Sequence, residues 1–171
     1  MTKSKVKIEL GDVTVHNIKQ LKRVNQVAFP VSYNDHFYEH LRSKCTEGSE
    51  EHCPVSFNDI MVGGVCCRLD TSNGQKRLYI MTLGCLAPYR RYGLGRLMLN
   101  RTPSPWPKRT AIHSIYLHVQ VSNTDALAFY QKAGFEVAGV EEGYYKRISP
   151  SDAYVLQRIL TPGDRLPAAA L

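Results

Sequence analysis

The run Leu83-Gly84-Cys85-Leu86-Ala87-Pro88-Tyr89-Arg90-Arg91-Tyr92-Gly93-Leu94-Gly95-Arg96 combines residue types that could hold an oxyanion. Gly93 and Gly95 leave backbone amides uncovered where a loop passes into a helix continued by Leu94, Leu97 and Met98. Amides at a helix N-terminus bind phosphate, and the macrodipole adds to the attraction. Between Asp70 and Asp125 there is no acidic residue, whereas Lys76, Arg77, Arg90, Arg91, Arg96, Arg101, Lys108 and Arg109 all fall there. A basic segment of this kind also suits nucleic acid. Because the charge surrounds the glycine loop and no nucleic-acid-binding signature accompanies it, a phosphorylated cofactor accounts for both features together.

The elements that must position this loop follow from periodicity. Val6, Ile8 and Leu10 alternate with charged residues, as in a strand with one buried face. Thr14 is the expected N-cap of a helix in which Ile18, Leu21 and Val24 recur at helical spacing until Phe29-Pro30. An apolar, aromatic loop follows (Phe29, Pro30, Val31, Tyr33), and Asn34 caps a second helix through Phe37, Tyr38 and Leu41. Residues 42–54 show no period and read as loop. Two strands, Ile60 to Leu69 and Arg77 to Leu83, flank an Asn73-Gly74 turn and form a hairpin. The helix after the glycine loop must stop near Asn100, because Pro103, Pro105 and Pro107 remove donors and clash with the preceding turn. A helix cut there would expose apolar surface on the sheet or require Trp106 to cover it. Ile115 to Val121 is a strand, Thr124 to Ala133 a helix closed by Gly134, and Phe135 to Val140 with Tyr144 to Ile148 a terminal strand pair. This order predicts an α/β domain with a mixed sheet.

Composition bounds the class. The chain of 171 residues, 43% hydrophobic, fits one globular domain over 1–160 with a flexible tail over 161–171. Five cysteines without a C-x-x-C pair read as a reduced, intracellular pattern. His40, Cys45, His52 and Cys53 fit no common zinc spacing, so no metal is expected. The first residues lack a signal-peptide core, and no run approaches the roughly 18 apolar residues of a membrane span. A soluble cytoplasmic protein, with nuclear residence also open, and no membrane partner is the expectation.

Arg90-Arg91-Tyr92-Gly93-Leu94-Gly95 resembles the R/Q-x-x-G-x-G/A loop of the GNAT acetyltransferases. Asn123-x-x-Ala126-x-x-x-Tyr130-x-x-x-Gly134-Phe135 resembles the segment after that family's splayed strand. Within the family, the stretches around Phe29 to Tyr33, Arg77 to Leu83, Ile115 to Gln120 and Tyr144 to Ile148 are similar to N-terminal acetyltransferases that act on chains with a retained initiator methionine. The resemblance implies a GNAT acyltransferase fold: a mixed, mostly antiparallel sheet with a central splay, flanked by helices. It implies acetyl-CoA as cosubstrate, peptide or nascent-chain N-termini as acceptors, and membership of a ribosome-associated complex. By similarity, Leu83, Gly84, Cys85, Arg90, Arg91, Gly93, Leu94, Gly95 and Arg96 would bind the pyrophosphate and pantetheine, joined by Asn123 and Tyr130. The last two are seven residues apart and project from one helix face. The family pattern departs at Leu41 to Phe57 and at Arg101 to His113, where this chain is more polar and proline-rich respectively.

Acetyl transfer to an α-amine with a pKa of roughly 7.7–8.0 needs only a weak base. His118 suits that task because histidine titrates near neutrality, although a lone strand histidine is more often structural. The resemblance assigns His118 and Tyr79 as the pair that takes the proton through a water, with Tyr79 holding it. Tyr130 would donate to the departing sulfur. Phe29, Pro30, Val31, Tyr33, Met81, Tyr144 and Tyr145 would enclose the substrate's first residues. Two other functions compete: lysine acetylation, which demands a stronger base for an amine near pKa 10.4, and a catalytically weakened acyl-CoA-binding scaffold subunit. Nucleic acid ranks behind these.

Overall fold

A computed structural model describes residues 7–44, 50–57, 59–72, 74–101 and 112–161. Seven strands form one sheet in the order β1-β2-β3-β4-β5-β7-β6. They are β1 (Ile8–Leu10), β2 (Glu50–Phe57), β3 (Ile60–Asp70), β4 (Arg77–Cys85), β5 (Ser114–Gln120), β6 (Glu136–Glu141) and β7 (Ala153–Ile159). Four helices accompany them: α1 (Ile18–Ala28), α2 (Asp35–Lys44), α3 (Leu94–Arg101) and α4 (Thr124–Lys132).

Every neighbouring pair is antiparallel except β4 and β5. These two run parallel and pair only over Arg77–Tyr79 against Ser114–Tyr116. Beyond Tyr79 and Tyr116 the ladder stops, so the facing backbone edges of Ile80 onward and Leu117 onward are released from pairing with each other. That opening is the splay on which the site is built.

The hydrophobic pattern explains the layers. Ile18, Leu21 and Val24 form the buried stripe of α1 and meet Tyr38 and Leu41 of α2 over Met61 and Cys66 of β3. On the other sheet face, Leu94, Met98 and Leu99 of α3 join Tyr130, Ala133 and Phe135 over Val62, Leu78, Ile80, Ile115 and Leu117. Cys66 and Cys67, consecutive in β3, alternate to different cores, and the register shift opposite them makes Met81 an extra residue of β4. Helix α3 spans Leu94–Arg101, and its two turns bury Leu94, Met98 and Leu99 almost completely. The prolines themselves and Trp106 lie outside the described residues.

Three local expectations are corrected. Helix α1 begins at Ile18 rather than after Thr14, because the Thr14 carbonyl closes a turn by accepting from the Asn17 and Ile18 amides. The Asn17 side chain accepts from the Thr14 amide at 2.8 Å and donates to the Asp12 carbonyl at 2.9 Å, so it locks that turn and does not cap the helix. The segment 42–54 is not all loop: α2 runs to Lys44, and β2 starts at Glu50, held by its backbone ladder to β3 without needing apolar alternation. The last strand is Ala153–Ile159, while Tyr144 to Ile148 is a loop. Two contacts of Asp152 and Ser151 hold that loop: the Gly143 amide donates to Asp152 Oδ1 at 2.8 Å, and the Tyr145 amide to the Ser151 carbonyl at 2.8 Å. Asn34 does cap α2, its Oδ1 accepting from the Phe37 amide at 3.0 Å.

Candidate active site

A cavity of about 160 Å³ opens where β4 and β5 splay. Phe29, Pro30, Val31, Tyr33, Tyr79, Met81, Leu83, His118, Asn123, Tyr130, Tyr144 and Tyr145 all line it, so the expected catalytic and substrate residues converge from five separate segments. Strand register explains part of this. The β4 ladder passes from Ile80↔Cys67 to Thr82↔Cys66 and leaves Met81 as an extra residue, so Thr82 takes the sheet face of Tyr79 and Leu83 that of Ile80, while His118 lines the cavity from β5 across the splay.

At the centre lies a chain of polar contacts. The Tyr144 and Tyr79 hydroxyl oxygens are 2.9 Å apart, Tyr79 Oη is 3.1 Å from His118 Nδ1, and His118 Nε2 is 2.8 Å from Glu141 Oε2. An ionised carboxylate only accepts, so in a neutral imidazole Nε2 carries the hydrogen and Nδ1 the lone pair. Tyr79 then donates to Nδ1, and Tyr144 donates to Tyr79. The Tyr144 ring also stacks on the imidazole, with centroids 4.1 Å apart and planes 9° from parallel. Burial, reinforced by the bond to Tyr144, pushes the Tyr79 phenol well above its ordinary range. Tyr79 therefore stays neutral and conducts a proton only by giving one up as it takes another.

A second layer holds Tyr79. Its ring stacks on Tyr116 at 4.8 Å, and the Tyr116 hydroxyl donates to Asp70 Oδ2 at 2.7 Å. Arg77 donates to the same oxygen at 2.8 Å and lies over the Tyr116 ring at 4.5 Å. Burial, and then the Asp70 hydrogen bond, hold the Tyr116 phenol neutral, its pKa pushed up to about 12.

Tyr130 is 6% exposed and opens on the cavity from α4. Burial raises its pKa strongly, and its hydroxyl has no hydrogen-bond partner among the described residues, which leaves a neutral donor ready for use. Asn123 is committed in part: its Oδ1 accepts from the Ala126 amide at 3.1 Å as the N-cap of α4, so its NH₂ is the group left for a ligand.

The remaining expected cofactor residues form the rim next to this cavity. After Cys85 the chain makes a 3₁₀ turn over Ala87–Tyr89, then takes positive φ at Arg91 (68°) and Gly93 (75°) before α3 begins. Those dihedrals turn the chain so that the first α3 amides, which have no intrahelical acceptor, end the loop. Arg90 and Arg91 are exposed and Arg96 half-buried along it. Leu94 is the exception among these residues, since its side chain is 2% exposed in the core and only its backbone can meet a ligand. Two observations fit an elongated phosphorylated thioester here. Thr82 Oγ1 is buried on the cavity wall without a hydrogen-bond partner, and a Cβ on Gly95 would lie 3.2 Å from the Phe129 ring, so the loop and α4 approach as closely as glycine permits. Among the described residues no group of three His, Cys, Asp or Glu could hold a metal; Cys45 and the side chains of His52 and Cys53 lie outside them.

Gly84 gives a direct test of the wall. A Cβ there would sit 2.7 Å from Phe29 Cζ, the far end of a side chain that can swing into the cavity. We expect Gly84→Ala to fold with a loss of about 1–3 kcal/mol and to raise the peptide KM more than the acetyl-CoA KM, as urea melts and steady-state kinetics would show.

Residues 18–135 match the model of the acetyltransferase (GNAT) family, more than half of the chain. The protein belongs to the GNAT family. It is 58% identical to N-alpha-acetyltransferase 50 of Danio rerio over 167 residues, 98% of this chain and 97% of that protein. It is 54% identical to the probable N-acetyltransferase san of Drosophila melanogaster over 160 residues, 94% of this chain and 84% of that one. Among solved structures, Arabidopsis thaliana Naa50 in complex with the bisubstrate analogue CoA-Ac-MVNAL superposes with a TM-score of 0.76 at 41% identity, covering 88% of this chain and 97% of that one. Several residues of this GNAT site were not among those singled out by sequence: Asp70, Thr82, Tyr116 and Glu141. Tyr116 alternates in step with His118 on a strand already recognised, a signal that could have found it, whereas Thr82 comes to the face of Tyr79 only through the extra residue Met81. Asp70 and Glu141 stand at strand ends, where only the register brings them to the site.

Proposed function

We propose that this GNAT protein is an N-alpha-acetyltransferase that acetylates peptide N-termini beginning with methionine. The observation that carries the reading is the Tyr144–Tyr79–His118–Glu141 chain opening into a splay cavity whose other wall is Phe29, Pro30, Val31, Tyr33 and Met81. An apolar and aromatic wall of that size suits a methionine side chain, and the Arabidopsis relative was solved with an analogue built on a peptide that starts with Met.

When bound, acetyl-CoA supplies the acetyl group as an activated thioester. The chain's own residues supply the rest. Tyr79 Oη accepts a proton from the attacking amine while passing its own to His118 Nδ1, so the histidine serves as base through the phenol. Glu141 then faces an imidazolium and offsets its charge. Backbone groups freed by the splay polarise the acetyl carbonyl. Tyr130 hands a hydrogen bond to the sulfur as it leaves, a role open to it because burial keeps it protonated.

The base need not be strong for an α-amine, whereas a lysine amine near 10.4 would demand far more of it. The deciding assay pairs a peptide with a free methionine N-terminus and the same peptide blocked there but carrying lysines. Acetylation of the first and near silence on the second is expected; equal rates would sink the N-terminal assignment. Membership of a ribosome-associated complex is part of the same proposal, supported by the net charge of +7, and salt-sensitive cosedimentation with ribosomes tests it. The five cysteines without a C-x-x-C pair support residence in the reducing cytoplasm or nucleus.

A further inference from the structure

We infer that Glu141 is a positioning residue for His118, holding its imidazole in the Nε2–H tautomer with the Nδ1 lone pair turned to Tyr79. The inference rests on the proposed acetyl-transfer reading for its catalytic meaning, but its geometric basis is independent of it.

Strand register brings Glu141 to the imidazole. β6 pairs with β7 through Val137↔Leu156 and then Gly139↔Val155, so Ala138 is an extra residue in β6. One inserted residue reverses which face every later side chain takes. Following the bulge, Gly139 aligns with Val155 and His118, while Glu141 aligns with Ala153 and Gln120. Glu141 therefore stands on the same sheet face as His118. Without the bulge it would point to the opposite face and could not reach the imidazole.

Contacts around the ring divide the work. Tyr144 stacks on its face and fixes its plane. Tyr79 meets Nδ1, but a hydroxyl donates or accepts equally well and so accommodates either tautomer. Tyr116 approaches edge-on at 6.4 Å and makes no hydrogen bond to it, and Arg68 lies over Tyr79, 5.2 Å from its ring centre. Glu141 is the contact that discriminates, because a carboxylate 2.8 Å from Nε2 accepts only from Nε2–H. With the alternative tautomer, Nδ1 would carry the hydrogen and could not take a proton from Tyr79. The Glu141 side chain is 55% exposed at the end of an edge strand, so its replacement leaves the core untouched.

The test uses the full chain with ¹⁵N-labelled histidine and two variants, Glu141→Ala and Glu141→Gln. Glutamine keeps an oxygen that accepts from Nε2–H, whereas alanine does not. In the unmodified protein at a pH where His118 is neutral, long-range ¹H–¹⁵N spectra should show a pyrrole-like Nε2 and a pyridine-like Nδ1. Glu141→Ala should move both nitrogens toward averaged values and lower kcat roughly tenfold or more, the scale of losing a partner that orients a functional histidine, with both KM values kept. Glu141→Gln should keep the nitrogen pattern and most of kcat. An Nδ1–H pattern in the unmodified protein, or an Ala variant with the original pattern, overturns the inference whatever kcat does. If the unmodified protein fails to acetylate the methionine peptide, the proposed function falls, and the nitrogen pattern still decides the role of Glu141.

Discussion

His118→Ala is expected to lower kcat by at least about a hundredfold while leaving acetyl-CoA binding in place. The size follows from what the imidazole does. Its Nδ1 lone pair faces the Tyr79 hydroxyl, while burial holds Tyr79 neutral and Tyr144 is hydrogen-bonded to Tyr79, so the proton leaving the phenol has the imidazole as its acceptor. Removing it leaves the phenol unable to pass a proton on. Cofactor binding should survive, because the cradle of Arg90 to Arg96 belongs to another segment; a thermal shift with acetyl-CoA would register that. Tyr79→Phe makes the companion variant. Its ring can keep the stack on Tyr116, so the fold is spared, yet the link between amine and imidazole is cut. If the two residues work as one relay, the double variant should be hardly slower than either single one. A His118→Ala enzyme retaining a third of the original kcat, or losses that multiply in the double variant, would refute the relay.

How much of this site could be read from sequence depends on the kind of residue. The cradle was legible because its signals are local: two glycines, a cluster of arginines and the first turn of a helix lie within a few positions. Tyr79 and His118 were legible by resemblance alone, as their strands are adjacent and parallel only through a crossover that periodicity does not reveal. Tyr144 lines the cavity from a loop, whereas the residue types around it predict a strand. Its neighbours Tyr145 and Ile148 carry strand-like residue types, while the loop is set by Asp152 and Ser151 farther along the chain. Glu141 was beyond reach for a sharper reason. Its face depends on one extra residue in β6, and no pattern in Glu136 to Glu141 announces the bulge. Similarly, β2 is held by backbone pairing to β3 and carries no apolar alternation through which a sequence could declare it.

Asp70→Asn is expected to destabilise the fold by about 2–3 kcal/mol at neutral pH, although the residue touches no part of the cavity. Its Oδ1 accepts from the Ser72 amide at 2.9 Å and the Ser72 hydroxyl at 2.6 Å; its Oδ2 accepts from Tyr116 at 2.7 Å and Arg77 at 2.8 Å. The Ser72 hydroxyl bond, followed by the Ser72 amide and the Tyr116 hydroxyl, holds the carboxyl well below the usual carboxylate range against the opposing effect of burial. An amide has one oxygen for these four donors and no charge for Arg77, whose buried Nε already has no partner. A carboxyl whose pKa is lower folded than unfolded stabilises the native state above its unfolded pKa, about 3.9, and loses that contribution as pH falls toward the folded value. The gap between the parent and Asp70→Asn should therefore be full at pH 7 and narrower at pH 3. Paired urea titrations at the two pH values measure it, with the other carboxylates cancelling in the difference. An equal gap at both would mean that the ionised form does not hold the cluster. Because Tyr116 stacks on Tyr79, the same variant should also loosen the relay and lower kcat at neutral pH, tying the strand-end carboxylate to the chemistry through two aromatic rings.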